Sequence, residues 1–469
     1  CGDEMIVNKR KIRSPREVTV TLNPLKGFND SLAAMAGGYM YAEQMRNLVV
    51  SDGTLVSGEG IKSLSQFVYS GEVAKNCYLY KKHDATGADD SRIIIYTKAK
   101  MLFECPVSGG TFEQIDNSFF SSAPAGVCYN YNGEDVMIFS NPDGGIRIYD
   151  GKEITEVPDA PEITSMCVHY ERLFVTTGHN ELWFSDDFDP ANWNVSLNEA
   201  GFIDMNDMKG ELIKVVSFGD YLYAFKKFGI TRISAYSDQR QFAATDLFVS
   251  SGKIFKDSII VCGDCMLFAA TDGIYRFDGV STQRISDSFR KKIDFTYEYF
   301  KGQYFNGNAY IRVRAKGDSG YDVQILRLNP KTAEATFIHD LVLGDFMVLD
   351  CENNYRLYGV TASIGKLCEV TTENSLIAGL KPFQVWENGE SDFGIHKEKT
   401  LTKFDVYTNK DITVSIFADG VKKQFAVKGG VKPSVLKPYM RGTKFKIRFD
   451  GRADGVVIAA PKLTLEYYE

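Results

Sequence analysis

The chain has 469 residues, more than one compact core usually organises, so two domains are the expectation. Its 44% hydrophobic content, with 32 Phe and 25 Tyr, excludes a disordered chain, which cannot bury that much apolar surface. A net charge of −7 excludes wrapping nucleic acid by broad charge neutralisation, though not a channel past which DNA slides with mild repulsion.

The abundant aromatic residues favour strands, because flat side chains pack well on a pleated surface. Forty-one glycines against 13 prolines suit many tight turns between short strands. No run of eighteen apolar residues occurs, so no transmembrane segment is expected. No secretory signal is visible. Nine cysteines are scattered through apolar strands, as reduced buried thiols are. The chain begins at Cys1, so its amino terminus reads as processed or incomplete. Cys1-Gly2-Asp3-Glu4 also matches the start of an acylated bacterial lipoprotein, which keeps a cell-surface protein as an alternative.

In chain order, residues 1–71 read as a partly irregular lead-in. It carries a basic cluster, Lys9-Arg10-Lys11 with Arg13 and Arg16, suited to a solvated arm or an arm laid on a neighbouring subunit. A strand around Val18 to Leu22 is available to close a propeller. Asn29 to Leu48, with Leu32, Ala33, Ala36, Tyr39, Met40, Ala42 and Met45, reads as one or two helical turns or an extended arm.

From 72 to 374 a repeat dominates. Phe218-Gly-Asp-Tyr-Leu-Tyr-Ala-Phe is echoed by Cys262-Gly-Asp-Cys-Met-Leu-Phe-Ala, 44 residues on. Ten residues after each glycine comes a second strand, Gly229-Ile-Thr-Arg-Ile and Gly273-Ile-Tyr-Arg-Phe. Weaker copies place turns near Asp90, Gly133, Tyr170, Gly219, Gly263, Gly307 and Asn354, at intervals of 43, 37, 49, 44, 44 and 47 residues. A period in the forties with several strands per repeat marks propeller blades, six or seven of them.

From 375 to 469 the pattern changes to short alternating strands at 400–408, 411–418, 422–427, 443–449 and 456–467. Turns at Asn409-Lys, Asp419-Gly, Gly429-Gly and Asp450-Gly separate them. The expectation is therefore an all-β chain, a six- or seven-bladed β-propeller followed by a small C-terminal β-sandwich.

Sequence motifs for chemistry are sparse. Cys262-Gly-Asp-Cys265 has redox or half-zinc spacing, but it overlies the repeat turn, where the matching position holds Tyr221, and no second ligand pair follows. Histidines 83, 169, 179, 339 and 396 are isolated. Ser185-Asp-Asp-Phe-Asp-Pro-Ala-Asn-Trp193 is near to a sialidase-type Asp-box, with Asp189 where glycine belongs. Asp89-Asp90 and Asp186-Asp187 fall at turns, where Asp bonds its own backbone. Asp143-Gly-Gly and Lys316-Gly-Asp-Ser-Gly320 lack the dense acids of a calcium loop. Lys422, Lys423, Lys444 and Lys446 belong on a wet face or edge of the terminal domain. No catalytic, cofactor-binding or metal residue is assigned, and no cofactor is expected. A glycan-processing propeller enzyme remains an alternative.

Tyr170-Glu-Arg-Leu-Phe-Val, then Leu182-Trp-Phe-Ser-Asp and Asp189-Pro-Ala-Asn-Trp193, resembles a segment of tailed-bacteriophage virion proteins. Trp386-Glu-Asn-Gly-Glu-Ser-Asp-Phe-Gly394 with Lys397-Glu-Lys399, and Arg441-Gly-Thr-Lys-Phe-Lys-Ile-Arg, are similar to their terminal domain. The family is the propeller-containing tail or neck component, including nozzle and DNA-stabilisation proteins, and the resemblance covers roughly 165–200 and 385–469. It implies a structural virion component, not an enzyme, made in the host cytoplasm. Its partners are other virion proteins and copies of itself in a ring that lets DNA pass without reading its sequence. Cys1 and the irregular early segment depart from the family's pattern.

Overall fold

A computed structural model describes residues 14–29, 38–84, 86–197, 200–236, 238–317, 320–340, 342–351 and 354–468. The chain is all-β with a propeller arrangement, and it divides into two units, 59–380 and 1–58 with 381–469. Cys1, the basic cluster at Lys9, Arg10, Lys11 and Arg13, and residues 30–37 of the segment 29–48 lie outside the described residues.

Among the described residues of unit 59–380, six four-stranded antiparallel sheets occur, at 74–114, 126–157, 165–204, 212–249, 260–284 and 343–371 with 60–63. A further four-stranded meander of the same form runs over 301–338. In chain order these are blades one to seven, the meander being the sixth. Each turn read from the repeat falls in the first hairpin of a blade. The turns demand left-handed backbone: Asn132, Tyr170 and Asn306 have φ near +50°, and Gly219 and Gly263 have φ of +57° and +72°.

The first strand of each blade lies along the axis, since neighbouring first strands pack on one another. The blades are sealed by apolar layers between them. One such layer joins blades two and three through Ile138, Ile146, Leu173, Val175 and Trp193. Each such side chain contributes about 1.5–3 kcal/mol on burial.

Two expectations are corrected. The last blade is closed by Gly60–Ser63, which pairs with Leu367–Thr371, and not by the strand near Val18. Arg16–Thr21 pairs instead with the carboxy-terminal strand Val457–Tyr467. The lead-in 1–71 is therefore divided: its first part belongs with the carboxy terminus and its last part with the propeller. In the segment 29–48, read as helical turns or an extended arm, the described part is extended: Ala42–Arg46 is a strand paired with Gln384–Asn388. Strand pairing offered by the far end of the chain overrides the local apolar spacing there.

Unit 1–58 with 381–469 holds two strand sets. Val457–Tyr467 is central to one, flanked by Arg16–Thr21, Thr54–Ser57 and Lys399–Thr408. The other runs Ala42–Arg46, Gln384–Asn388, Phe445–Gly451, Ile412–Ala418, Val421–Val427. Phe404 of the first set lies 6.4 Å from Phe449 of the second, ring to ring. All five strands read from the sequence are present within a few residues of their expected ends.

Blade four is anchored by a buried ionic knot. Lys226, fully buried, places Nζ 2.8 Å from Asp207 Oδ1 and donates to the Met205 carbonyl. Lys209 Nζ lies 2.6 Å from Asp207 Oδ2 and 2.7 Å from Asp246 Oδ1. Burial pushes the Asp207 carboxyl up, but hydrogen bonds from Lys209 and Lys226 outweigh it and hold the group down at about 2. Its folded pKa lies below the unfolded value of about 3.9, so its stabilisation is present above that pH and is lost as pH falls toward 2. Allowing for partial solvent access, about 1–2 kcal/mol is at stake. The urea midpoint of the wild type should fall more steeply between pH 4 and pH 2 than that of Asp207→Asn, which should already be weakened at neutral pH.

Candidate functional site

Two places gather polar chemistry in the propeller: its axis, and one face of blades three and four.

At the axis, Lys301 Nζ on the first strand of blade six lies 2.7 Å from Asp345 Oδ1 on the first strand of blade seven. Asp345 Oδ2 accepts the Cys77 amide of blade one at 3.1 Å. Lys214 Nζ of blade four donates to the Ile259 carbonyl at 3.0 Å, and Lys256 Nζ donates to the Thr164 carbonyl. Lys214 is wetted but hemmed in by protein, and this desolvation pulls its ammonium down to about 8, with Asp257 opposing. Two carboxylates, Asp345 and Asp257, thus stand among three lysines at the axis.

Lys256 spans from the start of blade five to a carbonyl at the start of blade three, so the axis there is within reach of one side chain.

On blades three and four, Tyr170 occupies the first turn with φ of +49°, and its ring meets Tyr236 edge-on at 5.1 Å. His169 packs against Tyr170 at 4.4 Å, and its Nδ1 lies 2.8 Å from Ser217 Oγ. Burial holds the His169 imidazole below its ordinary value, as suits a structural histidine at a blade junction. Arg232 lies over the Tyr221 ring at 4.5 Å. Phe188 is 67% exposed, and its amide donates to the Glu171 carbonyl at 3.1 Å. Tyr236 is 65% exposed, and Asp187, Asp220 and Asp238 are exposed around these rings.

The Asp-box-like loop builds this face. Arg172 is buried, with Nε 2.7 Å from Asp187 Oδ1 and Nη1 2.8 Å from the Ser185 carbonyl. Asn192 Nδ2 donates to Asp186 Oδ2 at 3.1 Å, and the Ala191 amide donates to Asp189 Oδ1 at 3.0 Å. Trp193 is buried and donates Nε1–H to the Pro190 carbonyl at 2.9 Å. Every acid of the loop thus has a local bonding role, as turn chemistry predicts.

The remaining singled-out residues do not converge. His83 pairs with Asp135 at 2.8 Å and His396 with Asp392 at 2.6 Å, in different units, and His179 is exposed. Asp143 lies in an exposed turn capped by Asn141 and accepts from Ser121 at 3.1 Å. The loop Lys316–Gly320 falls partly outside the described residues. Lys446 pairs with the buried Glu387 at 2.8 Å, and Lys423 donates to the Pro438 carbonyl at 2.8 Å. Among the described residues, no group of three or more His, Cys, Asp or Glu is placed to hold a metal. Nor is any helix long and apolar enough to cross a membrane, which says nothing of strands. The axial lysines and the Tyr170–Tyr236 contact escaped sequence reasoning; the only signal was that Tyr170 sits at a repeat turn.

No family model matches the chain, and no curated protein does. Among solved structures the chain is similar to BBS1N in its complex with ARL6DN, with TM-score 0.43 and 10% identity, over 65% of this chain and 99% of that one. It is similar to the designed protein Ika8, with TM-score 0.41 and 10% identity, over 67% and 100%. It is also similar to BamB from Moraxella catarrhalis, with TM-score 0.39 and 14% identity, over 70% and 94%.

Proposed function

We propose that this chain is a structural, non-enzymatic component of a tailed-bacteriophage virion, placed in the tail or neck and working through protein–protein contacts in a multi-subunit ring. The observation that carries the reading is the exposed aromatic face of Tyr170, Phe188, Tyr221 and Tyr236, rimmed by acids. Solvent-exposed aromatic surface with a polar rim is what protein partners bury. Tyr170 and Phe188 fall inside the segment 170–193, whose sequence resembles such virion proteins. The loop beneath them is stiffened by Arg172 and Trp193, which suits a surface that docks without rearranging.

The second unit, which we read as a β-sandwich, supplies another docking surface. A DNA passage, on this reading, is formed by the ring of subunits and not by the axis of one propeller.

The test is proteomics on density-gradient-purified, nuclease-treated particles from the source culture. Co-sedimentation with capsid proteins in a fixed multi-copy ratio supports the proposal. Recovery in a membrane or vesicle fraction with a lipid on Cys1 replaces it with the surface-lipoprotein reading. In reconstituted particles, Tyr170→Ala with Tyr236→Ala should lower incorporation about tenfold or more while leaving the thermal midpoint within about 2 °C.

A further inference from the structure

The first hairpin of blade five joins Ile260–Val261 to Met266–Ala270 through Cys262-Gly-Asp-Cys265. The Cys262 amide donates to the Cys265 carbonyl at 2.7 Å, and Gly263 takes φ of +72°, so the turn is tight and brings the two side chains together. Both cysteines are buried, one layer beneath the exposed Gly263 and Asp264. The Cys262 thiol is directed at the Ile260 carbonyl at 3.7 Å and the Cys265 thiol at the Cys262 carbonyl at 3.9 Å, while Arg276 on the next strand places its charge beside Cys265. Arg276 Nε is buried without a hydrogen-bond partner.

The repeat explains why an arginine stands there. Blade four carries Arg232 at the matching place, lying over Tyr221, which is the repeat equivalent of Cys265. Blade five keeps the arginine and replaces the ring with a thiol. A packing cation has thereby become the neighbour of a sulfur nucleophile. The neighbouring Cys262 thiol, and then the Arg276 charge, hold the Cys265 thiol below its ordinary value despite burial, while Cys262 is pushed the other way. Cys77, Cys105 and Cys368 show the contrary case, since burial pushes their thiols up.

We propose that Cys262 and Cys265 form a redox-active dithiol that exchanges with small-molecule disulfides and closes to a disulfide within one blade. The Cys265 thiolate attacks one sulfur of a disulfide such as oxidised glutathione, forming a mixed disulfide and releasing one glutathione thiolate. Cys262, losing its proton to solvent, then attacks Cys265 Sγ and releases the second. The two protein thiols give up two electrons and two protons, and the small disulfide becomes two thiols. Opening of the Gly263-Asp264 turn gives the reagent access, and the closed bond fixes the hairpin. No third His, Cys, Asp or Glu completes a metal site with this pair among the described residues.

The experiment equilibrates the native full-length chain in glutathione buffers of graded redox ratio, quenches with acid, alkylates after denaturation and maps peptides. The expected result is a peptide holding Cys262 and Cys265 that shifts cooperatively to a form two hydrogens lighter, while Cys77 and Cys368 remain alkylatable. Cys262→Ser should stop at one glutathione on Cys265. Arg276→Leu should slow oxidation at neutral pH about tenfold, and Arg276→Lys should recover most of the rate. A 262–265 peptide that stays fully reduced at every ratio, or oxidises only once urea has unfolded the chain, overturns the proposal. So does an unmodified Cys265 in folded Cys262→Ser.

Discussion

Asp345→Ala is expected to destabilise the propeller by about 3–5 kcal/mol, the usual cost of removing one partner from a buried ion pair. Asp345 is 4% exposed and takes three donors: Lys301 Nζ at 2.7 Å, the Cys77 amide at 3.1 Å and its neighbour Phe346 amide at 2.8 Å. Those donors come from blades six, one and seven, so the carboxylate ties the ring at the place where its ends meet. Truncation strands an ammonium and an amide together, which is why the effect exceeds that of an ordinary hydrogen bond.

The pH dependence gives a second check on the same pair. Burial pulls the Lys301 ammonium down, but Asp345 more than reverses this, and the group ends above its ordinary value. A raised lysine contributes stability fully present below its unfolded pKa of about 10.4 and lost as pH rises through the folded value. The Lys301 contribution should hold level from pH 7 to 9 and weaken above 10, on top of the gain that the lowered Lys214 gives every variant over that range. Without Asp345, burial is opposed only by the weaker pull of Asp257 and Cys77, so the variant should gain more stability than the wild type as pH rises from 7 to 10. Lys301→Met with Asp345→Leu should recover most of the loss. Urea melts at pH 7 and pH 10 measure all three; a loss under about 1 kcal/mol in Asp345→Ala would mean that the pair does not hold the ring.

The propeller was legible because each blade repeats one local event. An Asn-Gly, Gly-Asp or similar turn must adopt left-handed backbone, and an alternating apolar strand must follow it. Asn132-Gly133 and Gly219-Asp220 show that event plainly. Ring closure was illegible because it is a long-range choice: Gly60–Ser63 and Arg16–Thr21 both have strand character, and only distant partners, Leu367–Thr371 and Val457–Tyr467, distinguish them. The axial lysines were hidden for a related reason. In Leu212–Phe218, Lys214 reads as one polar residue in an apolar strand, and nothing local says that its face meets the axis. The Asp-box-like loop was read correctly as turn chemistry, since Asp186, Asp189 and Asn192 bond within their own segment. The aromatic face was not, because Tyr170 and Tyr236 are 66 residues apart and meet only once two neighbouring blades are packed.

Residues 375–469 expressed alone are expected to remain unfolded, although the sequence presents them as a domain. Their last strand, Val457–Tyr467, would lose Arg16–Thr21 along one edge and Thr54–Ser57 beside its start. Gln384–Asn388 would lose Ala42–Arg46, and Trp386 Nε1 would lose the Lys26 carbonyl it donates to at 3.1 Å. Leu22, Leu25, Phe28, Met45, Leu48 and Leu55 are all buried, and at about 1.5–3 kcal/mol each they represent on the order of 10–20 kcal/mol. That equals or exceeds the whole stability of a typical domain, about 5–15 kcal/mol. Trp386 is the sole tryptophan of the fragment and fully buried in the intact chain, so its fluorescence reports the outcome directly. Emission should be that of a solvated indole in the fragment and should shift to shorter wavelength when a peptide of residues 14–58 is added in excess. A fragment that shows a blue-shifted indole and a cooperative urea transition by itself would show that the amino-terminal strands are accessory to this core.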